Sequence, residues 1–174
     1  MSNLIQFFDA LVPMLLAGFI FWLLSLIKKD VSIVDSLWSL FFIIAALMVV
    51  SQQEQLSGRA IVTLFLVIAW GVRLSLYITV RHWGHEEDHR YQTIRANNKP
   101  GFEFKSLYMI FIFQALIAWL VALPIFYSIQ SSTSFNALDV FALMVWLTGI
   151  SMEAIADHQL YRFKQKPENK GKIL

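Results

Sequence analysis

Residues 33–50 read IVDSLWSLFFIIAALMVV, an apolar run broken by a single charge, Asp35. About 20 such residues in helical form cross the hydrocarbon core of a bilayer. Four more stretches of comparable length flank this one, at 4–27, 60–80, 107–129 and 138–156. The expected fold class is all-α, a polytopic transmembrane helical bundle of five spans forming one membrane domain over residues 1–174. Composition agrees: 57% of the chain is hydrophobic and 15% charged, against about 25% charged in a soluble domain. A net charge of +2 without a long basic run argues against nucleic acid as a partner. The absence of cysteine excludes disulfides and thiol chemistry. The opening MSNLIQFFDALVP lacks the basic region and cleavage site of a signal peptide, so the first stretch reads as a retained anchor. Pro13 and Pro124 fall within spans, where neighbouring helices can cover a freed carbonyl.

Orientation follows from the basic residues, which gather on the cytosolic side of membrane proteins. Lys28 and Lys29 occupy the first connector. Arg81, Arg90, Arg95, Lys99 and Lys105 lie in the third, and Arg162, Lys164, Lys166, Lys170 and Lys172 in the tail. Arg59 stands alone on the opposite side. The N-terminus is therefore expected outside and the C-terminus in the cytosol.

Depth can be counted at about 1.5 Å of helical rise per residue. On that scale Asp35 lies roughly 8 Å in from the cytosolic end, Arg73 roughly 12 Å and Gln114 roughly 14 Å. Glu153 and Asp157 sit near the same end of the fifth span, and their i, i+4 spacing puts both carboxylates on one helix face. A charged side chain facing lipid costs several kcal/mol, so Asp35 and Arg73 should face a partner or a cavity. Arg73 fits either a substrate cavity or an ion pair with Asp35. Trp38 fits a cavity wall or an interfacial aromatic belt. Gln114 fits ligand contact or interhelical hydrogen bonding. Asp139 is expected to cap the fifth helix, and Asp9 to lie near the outer face without a chemical role.

The loop at 81–105 opens with RHWGHEEDHRY. His85, Glu86 and His89 match H-E-x-x-H, which in zinc proteases puts two imidazoles on one helical face with a glutamate base. The intervening Glu87 and Asp88, the adjoining Gly84 and the lack of a third ligand argue against zinc here. The loop instead suits a cover over a cytosolic cavity. Arg81, Arg90 and Arg95 would offer forked donors to phosphate, and Tyr91 a proton or a stacking ring. Anchoring to anionic lipid headgroups would use the same arginines.

Several pieces, in order, resemble the steroid 5-alpha-reductase-like superfamily, and in particular its bacterial branch of membrane proteins. They are DVSIVDSLW at 30–38, RLSLY at 73–77, EDHRY at 87–91 and Phe113-Gln114 ahead of Leu123-Pro124. GISMEAIADHQL at 149–160 and FKQKPENKG at 163–171 complete the set. The resemblance implies a helical bundle in a bacterial cytoplasmic (inner) membrane that binds NADPH from the cytosolic side. It also implies reduction of a carbon–carbon double bond conjugated to a carbonyl in a lipid-like small molecule such as a steroid. Hydride would go to the beta carbon and a proton to the alpha carbon, with the cofactor carrying the hard chemistry.

Carried over residue by residue, Glu153, Asp157 and Gln159 fall on the segment that meets the cofactor, and Arg90 falls near its phosphates or nicotinamide. Tyr91 becomes a catalytic donor and Asp35 a substrate-side acid. Trp38, Arg73 and Gln114 line the substrate cavity. The family continues past GKIL into further motifs and spans, so the chain is expected to be the N-terminal portion of a longer reductase-like fold, inactive alone. The early Gln-Glu motif of the animal steroid reductases has no counterpart here. The superfamily also holds prenylcysteine methyltransferases, which makes S-adenosylmethionine the alternative cofactor. A noncatalytic membrane interaction protein is the alternative from another class.

Overall fold

Apolar side chains that cannot satisfy a backbone in lipid force each span to make its own hydrogen bonds, and the helix is the local solution. In a computed structural model, which describes residues 2–169, 82% of the chain is helical and no strand occurs among the described residues. Lys170, Gly171 and Lys172, used above for orientation and resemblance, lie outside the described residues. The helices are α1 (Ser2–Asp9), α2 (Leu11–Lys28), α3 (Ile33–Ser51), α4 (Gly58–His82), α5 (His89–Asn97) and α6 (Phe102–Ser106). A π-helical segment, Leu107–Ile112, leads into α7 (Phe113–Val121), then α8 (Leu123–Gln130) and α9 (Ala137–Gln165). Five helical stretches are long and apolar enough to cross a membrane: Ile5–Lys28, Ile33–Ser51, Gly58–His82, Phe102–Val121 and Ala137–Gln165. The protein is an integral membrane protein.

The chain divides into two compact units, Met1–Ser134 and Phe135–Leu174. In the first, α3 is the central helix and buries Val34, Leu37, Ser39, Phe41, Phe42, Ala45, Ala46 and Val49. It packs on α2, α4, α7 and α8. Small residues bring these helices close, as membrane packing requires where lipid offers no hydrophobic drive. A Cβ added at Gly71 of α4 would stand 3.1 Å from the Ser39 carbonyl oxygen and 2.8 Å from Ile43 Cδ1. Ser39 Oγ donates across the same gap to the Gly71 carbonyl at 2.8 Å. The outward faces carry exposed apolar side chains, Leu16, Ile20, Leu23 and Ile27 on α2 among them.

Both intramembrane prolines act where helices restart. Pro13 sits in the first turn of α2, where its missing N–H has no helical acceptor to lose. Pro124 lies in the first turn of α8 after a break at Ala122, so the stretch expected as one span over 107–129 is divided there, the π-helical segment and α7 before the break and α8 after it. At the end of the unit away from the 81–105 loop, Asp9 accepts from Gln52 Nε2 at 3.1 Å, and Gln6 Oε1 accepts from Gln53 at 3.0 Å and Gln130 at 2.8 Å. Asp9 thus ties α1 to α3.

The second unit is α9 with a short 3-10 turn, Pro167–Asn169. The capping residue of α9 is Asn136, not Asp139: the Asn136 side chain accepts from the Leu138 N–H at 2.9 Å. Asp139, at the third helical position, reaches back to the Asn136 N–H at 2.8 Å and completes a capping box.

Candidate functional site

Asp35 lies in the first turn of α3, an acidic residue where the helix N-terminus favours one. Its carboxylate is the centre of a polar cluster within the first unit. Tyr91 donates its hydroxyl to Asp35 Oδ1 at 2.5 Å, and Arg90 NH2 donates to Oδ2 at 2.7 Å. The Arg90–Asp35 pair joins the loop helix α5 to the start of α3. Gln114 Nε2 stands 3.5 Å from the Tyr91 hydroxyl. Four of the expected site residues, Asp35, Arg90, Tyr91 and Gln114, therefore meet. A charge-assisted bond as short as that between Tyr91 and Asp35 belongs to the stronger class.

Local structure explains how each group arrives. Asp88 caps α5 by accepting from the Arg90 N–H at 2.9 Å, which sets where the helix starts. That start turns the Tyr91 ring inward, to 6% exposure, while Arg90 runs outward over the rim. The π-helical segment before α7 fits extra residues per turn, so every later side chain is rotated relative to a continuous α-helix. Gln114 is the second residue after that shift. Burial, helped by the Asp35 hydrogen bond, pushes the Tyr91 hydroxyl far above its ordinary range, so the ring stays a neutral donor.

Trp38, one turn beyond Asp35, is half-buried and meets Phe42 edge-on at 5.7 Å, and Phe42 meets Trp70 of α4 at 5.6 Å. Trp38 is thereby part of an aromatic wall between α3 and α4. Arg73 follows Trp70 by one turn on α4 and is half-buried. On α9, Glu153 and Asp157 share one face, as their spacing requires, whereas Gln159 follows Asp157 by two positions, about 200° round the helix, and belongs to another face. The three cannot all meet one ligand from the same side of α9.

Sequence reasoning missed the clasp that holds this cluster. Glu87 and Arg95 form a bidentate pair, with Arg95 Nε to Oε2 at 2.9 Å and NH2 to Oε1 at 2.8 Å. Glu87 also accepts from the Val31 N–H at 3.0 Å, and the Asp88 N–H donates to Ser32 Oγ at 2.8 Å. The Arg95 guanidinium lies over the Phe102 ring at 4.6 Å. The α2–α3 turn, the loop, α5 and α6 are thus tied at one point. Burial alone would push the Glu87 carboxyl up, but its bonds from Arg95 and Val31 outweigh that and leave it below its ordinary 4.5.

A carboxyl held low in the folded state contributes stability that is complete above its unfolded value and is lost as pH falls through the folded one. Unfolding temperature in detergent should therefore hold steady from pH 7 down to about 5 and fall below that. The fall should be smaller in Glu87→Gln, which has no such carboxyl to titrate. A pH profile identical in both proteins would exclude Glu87 as its source.

The H-E-x-x-H match has no structural basis. Residues 85–88 are not helical, His89 only opens α5, and no group of three or more metal-ligating side chains occurs among the described residues.

A family model for proteins of unknown function, DUF1295, matches residues 21–174. The chain belongs to the DUF1295 family. This is a steroid 5-alpha-reductase-like family, in agreement with the resemblance read from 30–38 onward. No curated protein and no solved structure gives a significant match.

The resemblance read from the sequence implies NADPH, which carries several phosphates. Its phosphates need cationic donors that are not already neutralised. Arg90 is bound to Asp35 and also to Asp88 Oδ1 at 3.0 Å, and Arg95 is matched by Glu87 and lies 3.5 Å from Glu103. Arg81 lies beside the Tyr77 ring at 5.5 Å. The loop arginines that the sequence offered to phosphate are thus largely spent on carboxylates, and the cluster at Arg90 does not fit a phosphate cradle. What the cluster can do is present a neutral hydroxyl and an amide N–H to one oxygen atom.

Proposed function

We propose that this protein holds the polar end of a lipid-like molecule against Tyr91 and Gln114 and polarises its carbonyl, as a reductase of conjugated carbon–carbon double bonds requires. The observation that carries the reading is the 2.5 Å bond from the buried Tyr91 hydroxyl to an intramembrane carboxylate, with Gln114 Nε2 at 3.5 Å. Reduction of an enone adds a hydride at the beta carbon and a proton at the alpha carbon, and negative charge builds on the carbonyl oxygen between the two. A preorganised neutral donor stabilises that charge where water is excluded. Tyr91 has one proton, so its hydroxyl serves either Asp35 or a substrate oxygen. On binding it rotates to the substrate, Gln114 adds the second donor, and Asp35 remains paired with Arg90. Trp38 supplies an aromatic wall for the hydrocarbon body, with Arg73 deeper in the bundle.

NADPH is the hydride source this reading names. Arg90 and Arg95, already matched by carboxylates, do not cradle its phosphates. The excess of basic residues in the 81–105 loop and the tail supports an N-terminus outside a bacterial inner membrane.

The test uses the full chain in lipid nanodiscs with a 4-en-3-one steroid as probe. Saturable steroid binding is expected, together with steroid-dependent loss of NADPH absorbance. Tyr91→Phe should slow that loss about a hundredfold, the usual effect of deleting one oxyanion donor. Wild-type protein that neither binds the steroid nor consumes NADPH would defeat the reading, as would full activity in Tyr91→Phe. The noncatalytic reading also has an observation in its favour, since Asp35 is satisfied by the protein's own groups. It expects Tyr91→Phe to lower stability with no ligand effect at all.

A further inference from the structure

We infer that a cavity beside the α2–α3 turn is a binding site for a zwitterionic phospholipid headgroup, one carrying a phosphodiester and a primary ammonium. The cavity measures about 710 Å³ and lies within the first unit, between the end of α2, the start of α3, the end of α4 and the loop at 83–88. Its lining excludes Asp35, Tyr91 and Gln114, so it is distinct from the polar cluster described above. The inference is independent of the proposed reductase chemistry.

Charge decides what it holds. Lys28 and Lys29 are exposed cations on the wall, and Asp30 and Glu86 are carboxylates on it. Glu87, a third carboxylate, is already matched by Arg95 outside the cavity. The wall is therefore balanced in sign, which gives a polyanion no net attraction and suits a ligand carrying one charge of each sign. Neutral donors favour the same ligand. The Nε2 atom of His82 is buried with no hydrogen-bond partner among the described residues, and Asp30 Oδ2 stands 3.7 Å from it. A buried ring nitrogen left without a partner is costly, and a phosphate oxygen or ammonium would satisfy it. On the same lining, Thr79 donates to Ser36 Oγ at 2.9 Å, which leaves the Ser36 hydroxyl proton for a ligand oxygen.

Position selects a lipid over a soluble molecule. The cavity sits where two spans end, in the layer that headgroups occupy. Exposed apolar side chains stand beside its walls, Ile27 at 80% next to Lys28, Val80 at 71% next to Thr79, and Trp83 at 75% on the rim itself. A tryptophan at such a boundary is the usual interfacial anchor. The Lys28 ammonium lies 6.0 Å from that ring. Acyl chains would follow the apolar flank while the headgroup enters the polar cavity.

The full chain in detergent should be titrated with short-chain phospholipids of identical tails carrying phosphoethanolamine, phosphocholine or phosphoglycerol heads, and retention read by native mass spectrometry. Phosphoethanolamine lipid should be retained about tenfold more tightly than either of the others, because choline offers no N–H and phosphoglycerol no cation. Lys28→Gln with Lys29→Asn should remove about tenfold of that affinity. Asparagine is chosen because residue 29 has φ 56°, a conformation asparagine tolerates. Both lysines are exposed, and His82→Asn gives a second readout should that pair fail to fold. Equal retention of all three lipids, preference for phosphoglycerol, or unchanged selectivity in the variants would overturn the assignment. So would displacement of the lipid by soluble glycerophosphoethanolamine at equal concentration, which would make the ligand a soluble phosphate compound.

Discussion

Glu87→Ala should destabilise the folded protein by about 3 kcal/mol, the lower end of what breaking a buried ion pair costs. The lower end applies because the Arg95 side chain keeps 22% exposure and can rehydrate, whereas Glu87 keeps 10%. The substitution removes both Arg95 bonds and the side-chain acceptor of the Val31 N–H, so three donors lose a partner together. For a chain of this size the melting temperature should fall by roughly 6–12 °C. Glu87→Gln keeps an oxygen for Val31 and should recover about 1 kcal/mol, one hydrogen bond. Replacing both partners, Glu87→Gln with Arg95→Met, should be milder than Glu87→Ala alone, since no buried charge is then left unmatched. Hydrogen exchange in α5 should rise in Glu87→Ala before exchange in α3 does. A melting temperature within a degree of wild type would show that the clasp contributes nothing.

That clasp also marks where sequence reasoning stops. The spans were legible because bilayer thickness and backbone satisfaction leave an apolar stretch such as 33–50 no other structure. Asp35 and Gln114 were legible as inward-facing, because depth follows from counting residues and lipid penalises charge. Their meeting with Tyr91 was foreseeable only as a common membrane level. Glu87, Asp88 and Arg95 looked like a solvated loop, since nothing in EEDHRY distinguishes a buried carboxylate from an exposed one. Its partner Val31 lies 56 positions away. The pairing of Arg90 with Asp35 has the same cause: 55 positions separate them, and an arginine on a loop helix can reach many partners until α5 is placed. The π-helical segment and the break at Ala122 depend on how α6 to α8 pack on α2 and α3. Pro124 marks a point where a helix is interrupted without showing that a second one begins.

The same limit applies to Gly71, which in GVRLS reads as one small residue in an apolar span, yet its substitution should be among the most damaging in the protein. Within the first unit the most extensive helix pairing is between α3 and α4, and at Gly71 their backbones approach closely. A Cβ there meets Ile43 Cδ1 at 2.8 Å, which a rotamer change can relieve, and the Ser39 carbonyl oxygen at 3.1 Å, which it cannot. Gly71→Ala should therefore cost about 1–3 kcal/mol, the range for overpacking a well-filled interior. Gly71→Leu must part the helices and break the 2.8 Å bond from Ser39, and should leave little folded protein on size-exclusion chromatography. Ser39→Ala separates the two contributions. It removes the bond but leaves the close approach, and interhelical bonds of this kind average about 0.6 kcal/mol in membranes. The expected order of loss is Ser39→Ala, then Gly71→Ala, then Gly71→Leu. If Ser39→Ala proved the worst of the three, the hydrogen bond rather than the close backbone approach would be holding α4 to α3. Because α3 also carries Asp35 and Trp38, parting this pair should disturb the polar cluster and the aromatic wall together, and ligand binding should be lost in step with folding.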